Sequence, residues 1–433
     1  MRLGMKRLSA ALLGTFAMSA ASAADMPIKA TPAAVVSQNW EATFASEVRY
    51  YAWKGDRGTP PTGSTAPGSG SQLYVPYALQ IAGTPANDWK LVLLGRGGWV
   101  RSKQTTPGLA GEVETITDTV AQATLTYLGI AGLQPFVAIS VNAPTGKSVL
   151  FGTQANARMD PDLVEIGSFG EGWNIGPTVG FNLPVTASLM LTGSVGYTWR
   201  GRFDRERSSA EINPAAQSLT SLDPGDVLTG TAAVAYQGGP WAWSVTGSVS
   251  EETETVENGV DLYRAGRRYL AAATLSYTWP AQWGQTTWTG AYAHSNRNEV
   301  KFLNAAALIT EAFNTNSDLY RVGVQHLFIV AENFAVGPTG SYLHRNNNSY
   351  NAVTLQFVPA KERWSAGGLA RYAVNDRLTF NVRAEHVWVD EDERLAPGGQ
   401  QFSVLANAFV AGSAVPVVSS TGWMVAAGAN ARF

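Results

Sequence analysis

The sequence contains no cysteine in its 433 residues. A disulfide framework, a thiolate metal site and a lipid-modified N-terminal cysteine are therefore excluded. Charged residues are also scarce, at 15% of the chain compared with about 25% in an ordinary soluble domain. The formal net charge is −2, and nothing in this balance points to a nucleic-acid partner.

Long apolar runs are the second absence. Beyond the first 23 residues no run reaches the length of about 18 residues that indicates a membrane-spanning helix. At the N-terminus, Arg2, Lys6 and Arg7 accompany a short apolar stretch, and residues 21–23 fit the cleavage pattern of a secretory signal peptide. We predict a signal peptide over residues 1–23, a short periplasmic segment over 24–39 and one folded domain over 40–433.

Glycine and aromatic residues are abundant. The chain has 44 Gly, 14 Trp, 15 Tyr and 16 Phe residues. A chain this poor in charge must cover much apolar surface, yet it has no long apolar segment in which to do so. A membrane β-barrel satisfies both conditions, because only alternate residues of each strand face the lipid.

From Trp40 onward the dominant pattern is alternation of apolar and small polar residues, the period of a β-strand. In residues 188–202, Leu189, Val195 and Trp199 fall on one face, while Ser, Thr, Gly and Arg residues fall on the other. The apolar faces begin or end in Trp or Tyr, as expected at membrane–water interfaces.

Short and long connections alternate along the chain, which is typical of outer-membrane barrels. Predicted short periplasmic turns lie near residues 84–88, 129–133, 183–187, 237–241, 280–284, 331–334 and 375–377. Predicted long external loops lie near 54–71, 102–112, 144–172, 203–225, 251–261, 297–316, 346–355 and 391–416. The predicted fold class is all-β, a transmembrane antiparallel up-and-down β-barrel of about 16 strands (range about 14–18) in the outer membrane.

Three segments carry family resemblances. The amphipathic last strand, TGWMVAAGANARF, ends in Phe433 and resembles the signal recognised by the barrel assembly machinery of Gram-negative outer membranes. The segment Ala24–Ala30 looks like the mature start of many alphaproteobacterial outer-membrane barrels. Residues 141–147 (VNAPTGK) are similar to a pattern in fatty-acid and phenol-degradation transporter barrels, although the Asn-Pro-Ala plug of fatty-acid transporters is missing here.

The strand phase predicts which charged residues line the lumen. Basic residues outnumber acidic ones among them, and rings of Arg or Lys favour anions in wide pores. The same side chains could instead brace the wall by pairing with carboxylates, and both interpretations remain open. The predicted pore-lining residues are Glu47, Arg49, Lys90, Arg96, Arg200, Arg202, Arg268, Arg321, Arg363, Arg371, Arg383 and Glu385.

The third long loop, residues 144–172, is rich in charge. By resemblance to sixteen-stranded porins, in which this loop folds into the barrel, its acidic residues would face the lumen arginines across a constriction. Alternatives are a calcium site at Asp160-Pro161-Asp162 or a solvated surface loop. Residues 390–394 likewise suit either a divalent-bridged lipopolysaccharide contact or a hydrated loop base. The predicted constriction residues are Arg158, Asp160, Asp162, Glu165 and Glu171.

No enzyme motif was found. The four histidines are scattered without metal-ligand spacing, and no G-x-S-x-G elbow occurs. The sequence therefore predicts a porin-like, anion-favouring channel for passive uptake of small solutes, without cofactor or metal. The alternatives are a specific transporter of aromatic or other hydrophobic compounds and a non-conducting structural or adhesive barrel. Expected partners are outer-membrane lipids, lipopolysaccharide, the barrel assembly machinery and small solutes, with a homotrimer implied by the porin resemblance.

Overall fold

The computed structural model describes residues 40–58, 66–106, 109–164, 166–206, 219–302, 306–404, 407–412 and 414–433. The predicted signal peptide, the predicted segment 24–39 and Glu165 lie outside these residues. Among the described residues, no helix combines the length and hydropathy needed to cross a membrane.

Sixteen long strands form the main sheet, which confirms the predicted fold class. The fourth strand consists of two segments separated by Thr117 and Asp118, and both pair with the third strand. The strands are β1 Glu41–Gly58, β2 Ala66–Ala86, β3 Trp89–Thr106, β4 Leu109–Ile116 with Thr119–Tyr127, β5 Gln134–Ala143, β6 Asn174–Pro184, β7 Leu189–Arg200, β8 Val227–Gly238, β9 Trp241–Glu252, β10 Arg268–Thr278, β11 Gln285–Ser295, β12 Leu319–Ala331, β13 Phe334–Arg345, β14 Lys361–Ala373, β15 Leu378–Glu391 and β16 Val418–Arg432.

The sheet closes on itself. Each strand pairs antiparallel with the next, and β1 pairs with β16 from Thr43 opposite Arg432 to Gly55 opposite Ser420. Closure gives each of the sixteen strands a backbone partner on both sides, while residues 109–116 of β4 pair with β3 alone. Strands spaced about 4.8 Å apart and tilted by about 40° give a barrel about 30 Å across between backbones.

All seven predicted short turns are present, at the barrel end where the chain also enters and leaves the sheet. Three of them are two-residue hairpin turns, and in two of these Asp88 (φ 64°) and Gly239 (φ 56°) supply the positive φ that is typical of such turns. The predicted loops 54–71 and 102–112 are wrong in extent. Strands β1 to β4 continue into both predicted loops and remain paired there. Backbone pairing between these long neighbouring strands outweighs the loop tendency of a composition rich in Gly, Ser and Thr.

The outer surface of the barrel is an apolar belt. Large outward side chains are exposed along its middle, among them Val179 (59%) and Val195 (54%). Aromatic pairs border it at the short-turn end, such as Trp241–Tyr277 (4.5 Å between ring centroids). Others border it at the long-loop end, such as Tyr342–Trp364 and Tyr292–Tyr320. An apolar band between two aromatic girdles is the lipid-facing surface of an outer-membrane β-barrel, and this chain is one.

The long loops carry structure of their own. Six short strands from three consecutive loops, residues 201–226, 253–267 and 296–318, form a second antiparallel sheet above one side of the barrel. A hairpin of Gln400–Ser403 and Ala408–Ala411 lies in the last long loop. The third loop, residues 144–173 and called L3 below, contains a short 3-10 helix, Gly152–Ala157.

Candidate functional site inside the barrel

L3 begins and ends at one carboxylate. Asp118, in the interruption of β4, accepts hydrogen bonds from Asn142 Nδ2 (2.9 Å), the Gly146 amide (2.9 Å) and the Glu171 amide (2.8 Å). The two ends of the loop approach so closely that a Cβ on Gly146 would lie 1.9 Å from the Phe169 carbonyl oxygen. Glycine is therefore required at this crossing.

The parts of L3 on both sides of its tip are anchored on the inner faces of β2 to β4. Its backbone is fixed there by Ser102 Oγ, which donates to the Ala157 carbonyl (2.7 Å), and by Gln72 Nε2, which donates to the Ile166 carbonyl (2.9 Å). The first anchor comprises Leu150, Ala155, Ala157 and Phe169 of L3 packed with Tyr74, Val100 and Val113 of the wall. These contacts establish that L3 folds into the barrel.

The tip of L3 has a second apolar anchor, formed on β1 and on the neighbouring strands β15 and β16. Met159, Leu163 and Val164 are at most 7% exposed. They pack on inward side chains of β1 and β15, with Met424 of β16 beside them. The wall residues of this second anchor are Tyr51, Trp53, Val387 and Val389. These apolar side chains lie on the inner wall of an otherwise polar lumen. L3 covers them, so they are not exposed to the water in the lumen.

Charged groups complete the attachment of the tip. The ammonium group of Lys361, whose side chain is 2% exposed, contacts the Asp160 carboxylate and lies 3.5 Å from Asp162 and 3.4 Å from Glu391. Arg345 pairs with Asp162 at 2.7 Å. Burial of a charge is unfavourable unless the charge is paired. Loss of any one of these side chains would therefore leave a buried charge without its partner.

The geometry differs from the constriction that the sequence led us to expect. Asp160 and Asp162 at the L3 tip do not face basic residues across a gap but contact Lys361 and Arg345 directly on the wall. Glu171 pairs with Arg200 at 3.5 Å, and Arg158 pairs with Glu206 of the fourth long loop. Lysine and arginine nitrogen atoms also surround the two carboxylates considered for calcium, and among the described residues no group of three His, Asp or Glu is arranged to hold a metal ion.

Most of the charged residues selected from the sequence lie on the inner face of the barrel, in phase with their strands. Arg202 does not. It lies two positions beyond the end of β7, its side chain is 62% exposed, and it is 3.5 Å from Asp223 in the fourth long loop. The alternation of β7 ends at Arg200, the last residue of this strand that pairs in the barrel.

Several inward charges are paired with one another. Glu47 contacts Arg49 two residues along β1. Arg383 Nε donates to Glu385 Oε1 at 2.8 Å, and Thr339 Oγ1 donates to the same oxygen at 2.9 Å. The Glu385 side chain is fully buried. Here the arginines brace the wall.

A second braced group lies at the long-loop end of β7, β9 and β10. Glu252 is 3.7 Å from Arg200 and 3.5 Å from Arg268, so one carboxylate serves two guanidinium groups. Arg200 also reaches Glu171 at the end of L3, and its backbone amide donates to Asp226. The group contains two positive and three negative side chains, so it adds no net positive charge to the lumen.

Other basic residues are less compensated. Lys90 and Arg371 face the lumen near the short-turn ends of β3 and β14 and form no ion pair with any residue that the structure describes. Arg363 Nη1 donates to the Asp162 carbonyl (3.1 Å). Arg321 lies within electrostatic range of Asp162, and Arg96 faces inward lower on β3. Lys90 and Arg371 therefore leave positive charge on the inner wall.

The sequence-based selection missed residues that attach L3 or brace Arg200. Arg345, Lys361 and Glu252 occupy inward positions at strand ends next to long loops, so an extension of the alternation to those ends would have found them. Asp118 and Glu206 lie outside regular barrel pairing. No periodic signal marks either residue, and only the folded chain brings them to L3.

No protein-family model and no curated protein matches this chain. Among solved structures, it is similar to an outer membrane channel from Pseudomonas putida F1 (15% identity, TM-score 0.40, 64% of this chain and 94% of that chain). It is also similar to the TodX deltaS2S3 mutant monoaromatic hydrocarbon channel (12%, 0.38, 92% and 91%). A third is a BenF-like porin from Pseudomonas fluorescens Pf-5 (9%, 0.39, 89% and 97%). Similarity of this extent gives no information about the solute of this chain.

Proposed function

We propose that this barrel is a passive outer-membrane channel for small water-soluble solutes. The observation that carries the proposal is a sixteen-strand barrel with a polar and charged inner wall and with L3 attached inside it. Barrels of 16–18 strands enclose an aqueous channel. A loop attached at both ends and along its length narrows such a lumen permanently instead of opening and closing with each solute.

We further propose that the channel favours anions. Lys90 and Arg371 support this preference, because neither forms an ion pair among the described residues. A fixed positive potential in a narrow water column attracts anions and repels cations. The paired residues contribute less, since each neutralises a neighbour within a few ångströms.

The test is conductance of the purified, refolded protein in a planar lipid bilayer. We expect stable steps, and under a potassium chloride gradient a reversal potential shifted toward the chloride equilibrium potential. Absence of steps from a correctly folded, heat-modifiable barrel would contradict the channel and favour a gated transporter or an adhesive barrel. Steps with a reversal potential of zero or of the opposite sign would contradict the anion preference alone.

A further inference from the structure

The two halves of the inner wall differ in chemistry. On the seven strands β5 to β11, all of them fully described, the inward residues are mostly Ser, Thr, Ala, Gly, Asn and Gln. The inward charged residues on these strands are Arg200, Glu252 and Arg268, and all three lie at the long-loop end. The remaining strands, β12 to β16 and β1 to β4, carry the other basic and acidic lumen residues. We call the inward face of β5 to β11 the hydroxyl wall.

L3 covers the charged half and leaves the hydroxyl wall accessible. Its two anchors and the ion pairs of its tip lie on β1 to β4 and on β13 to β16, whereas its contacts with Arg200 and Glu206 are confined to the long-loop end. Inward residues beneath it are excluded from solvent, and Ser102 and Val387 are both 0% exposed. At comparable positions on the hydroxyl wall, Thr231 and Ser248 remain partly exposed. A solute that passes L3 therefore moves along the hydroxyl wall.

The middle of this wall carries a row of hydroxyl groups across three strands. Thr231 of β8 is directly opposite Ser194 of β7 on one side and Ser248 of β9 on the other. None of the three side chains forms a hydrogen bond with another residue in the described part of the chain. Each hydroxyl can donate one hydrogen bond and accept others. The row can therefore replace its hydrogen bonds to water with hydrogen bonds to the hydroxyl groups of a solute.

A basic residue lies across the lumen from this row, nearer the short-turn end of the barrel. In a closed barrel of sixteen strands, strands eight positions apart lie across from one another, so β7 to β9 face β15, β16 and β1. Arg371, which projects inward from the adjacent β14, is unpaired among the described residues. One water column is thus bordered by positive charge on one side and by hydroxyl groups on the other.

We propose that the row Ser194–Thr231–Ser248 selects hydroxylated organic anions, the chemical class of sugar acids, over anions of similar size without hydroxyl groups. The basic side attracts the carboxylate, and the hydroxyl row replaces the water around the solute's own hydroxyls. The proposal rests on the anion-favouring channel proposed above, and its own content is the preference for hydroxyl groups.

The test compares gluconate with hexanesulfonate, two monovalent anions with six carbons each, in bilayers with chloride as the common reference. Reversal potentials under bi-ionic conditions give each anion's permeability relative to chloride. In the wild type we expect gluconate to be favoured beyond the ratio of the two mobilities in water. In the triple variant Ser194→Ala, Thr231→Val, Ser248→Ala, this preference should fall about fivefold, the effect of losing about one net hydrogen bond.

Thr379→Val is the matched control, because Thr379 faces inward on β15, on the charged half. It should leave the gluconate preference intact. If the triple variant does not assemble, Thr231→Val alone should reduce the preference in the same direction. A wild-type ratio equal to the mobility ratio, or an equal loss for both anions in the variant, would overturn the proposal. Absence of anion-selective conductance in the wild type would instead refute the proposed function.

Discussion

Replacement of Lys361 by methionine tests the attachment of L3 most directly. The Lys361 side chain is 2% exposed and lies within 3.5 Å of carboxylate oxygens of Asp160, Asp162 and Glu391. Methionine has a similar volume but no charge. The variant therefore removes the ammonium group that lies between three carboxylates, while Arg345 still pairs with Asp162.

The expected magnitude follows from the burial of this group. Removal of one partner from a buried ion pair costs about 3–5 kcal/mol, because an uncompensated charge remains. Burial of each large apolar side chain contributes about 1.5–3 kcal/mol, and the second anchor contains three from L3, Met159, Leu163 and Val164. We therefore expect the barrel to fold and L3 to remain mostly docked, with the equilibrium constant for undocking raised by about two to four powers of ten.

Single-channel recording measures this equilibrium. Wild-type steps should be quiet, whereas Lys361→Met should show frequent transitions to a larger conductance as the loop tip leaves the wall. Limited proteolysis should cut the variant faster within residues 144–173. Addition of Asp160→Asn and Asp162→Asn to this variant removes the negative charges that Lys361 no longer compensates. The triple variant should therefore show fewer transitions to the larger conductance than Lys361→Met alone.

Lys103→Met is the matched control. Lys103 is 59% exposed and 3.9 Å from Glu112, and an exposed pair of this kind contributes at most about 1 kcal/mol. Its conductance traces should match those of the wild type. The reasoning is refuted if Lys361→Met shows wild-type noise and wild-type proteolysis, since the apolar anchors would then fix L3 without the ion pairs.

Three further predictions concern the base of L3, the lumen charge and assembly. Asp118→Ala removes the shared acceptor for both ends of the loop, and we expect faster proteolysis of L3 and a lower heat-modification temperature; an unchanged temperature would contradict this. The double variant Lys90→Gln, Arg371→Gln should reduce anion preference in reversal-potential measurements, with quiet steps because neither residue is seen to contact L3; unchanged selectivity would assign the preference elsewhere. Phe433→Ala should lower the amount of folded protein in the outer membrane without changing the conductance of the molecules that assemble, and wild-type levels in a membrane fraction would rule out Phe433 as an assembly signal.

The strand count, the seven short turns and the lipid-facing phase could be read from the sequence. Alternation has a fixed period of two, so one aromatic or valine at a strand position fixes the face of every other residue on that strand. Turn residues with permissive backbone conformations, such as those near Asp88 and Gly239, add independent markers. For the same reason the phase placed Arg49, Arg363 and Arg383 on the inner face.

The tertiary structure decided what those inner residues touch. L3 carries no periodic pattern, and its position depends on contacts between residues far apart in sequence, such as Asp160 with Lys361 and Asp162 with Arg345. Phase gives the direction of a side chain but not its partner. It therefore could not distinguish a bracing arginine from an unpaired one. The division of the lumen into a charged half beneath L3 and an accessible hydroxyl wall likewise arises only when the barrel closes and brings distant strands across from one another.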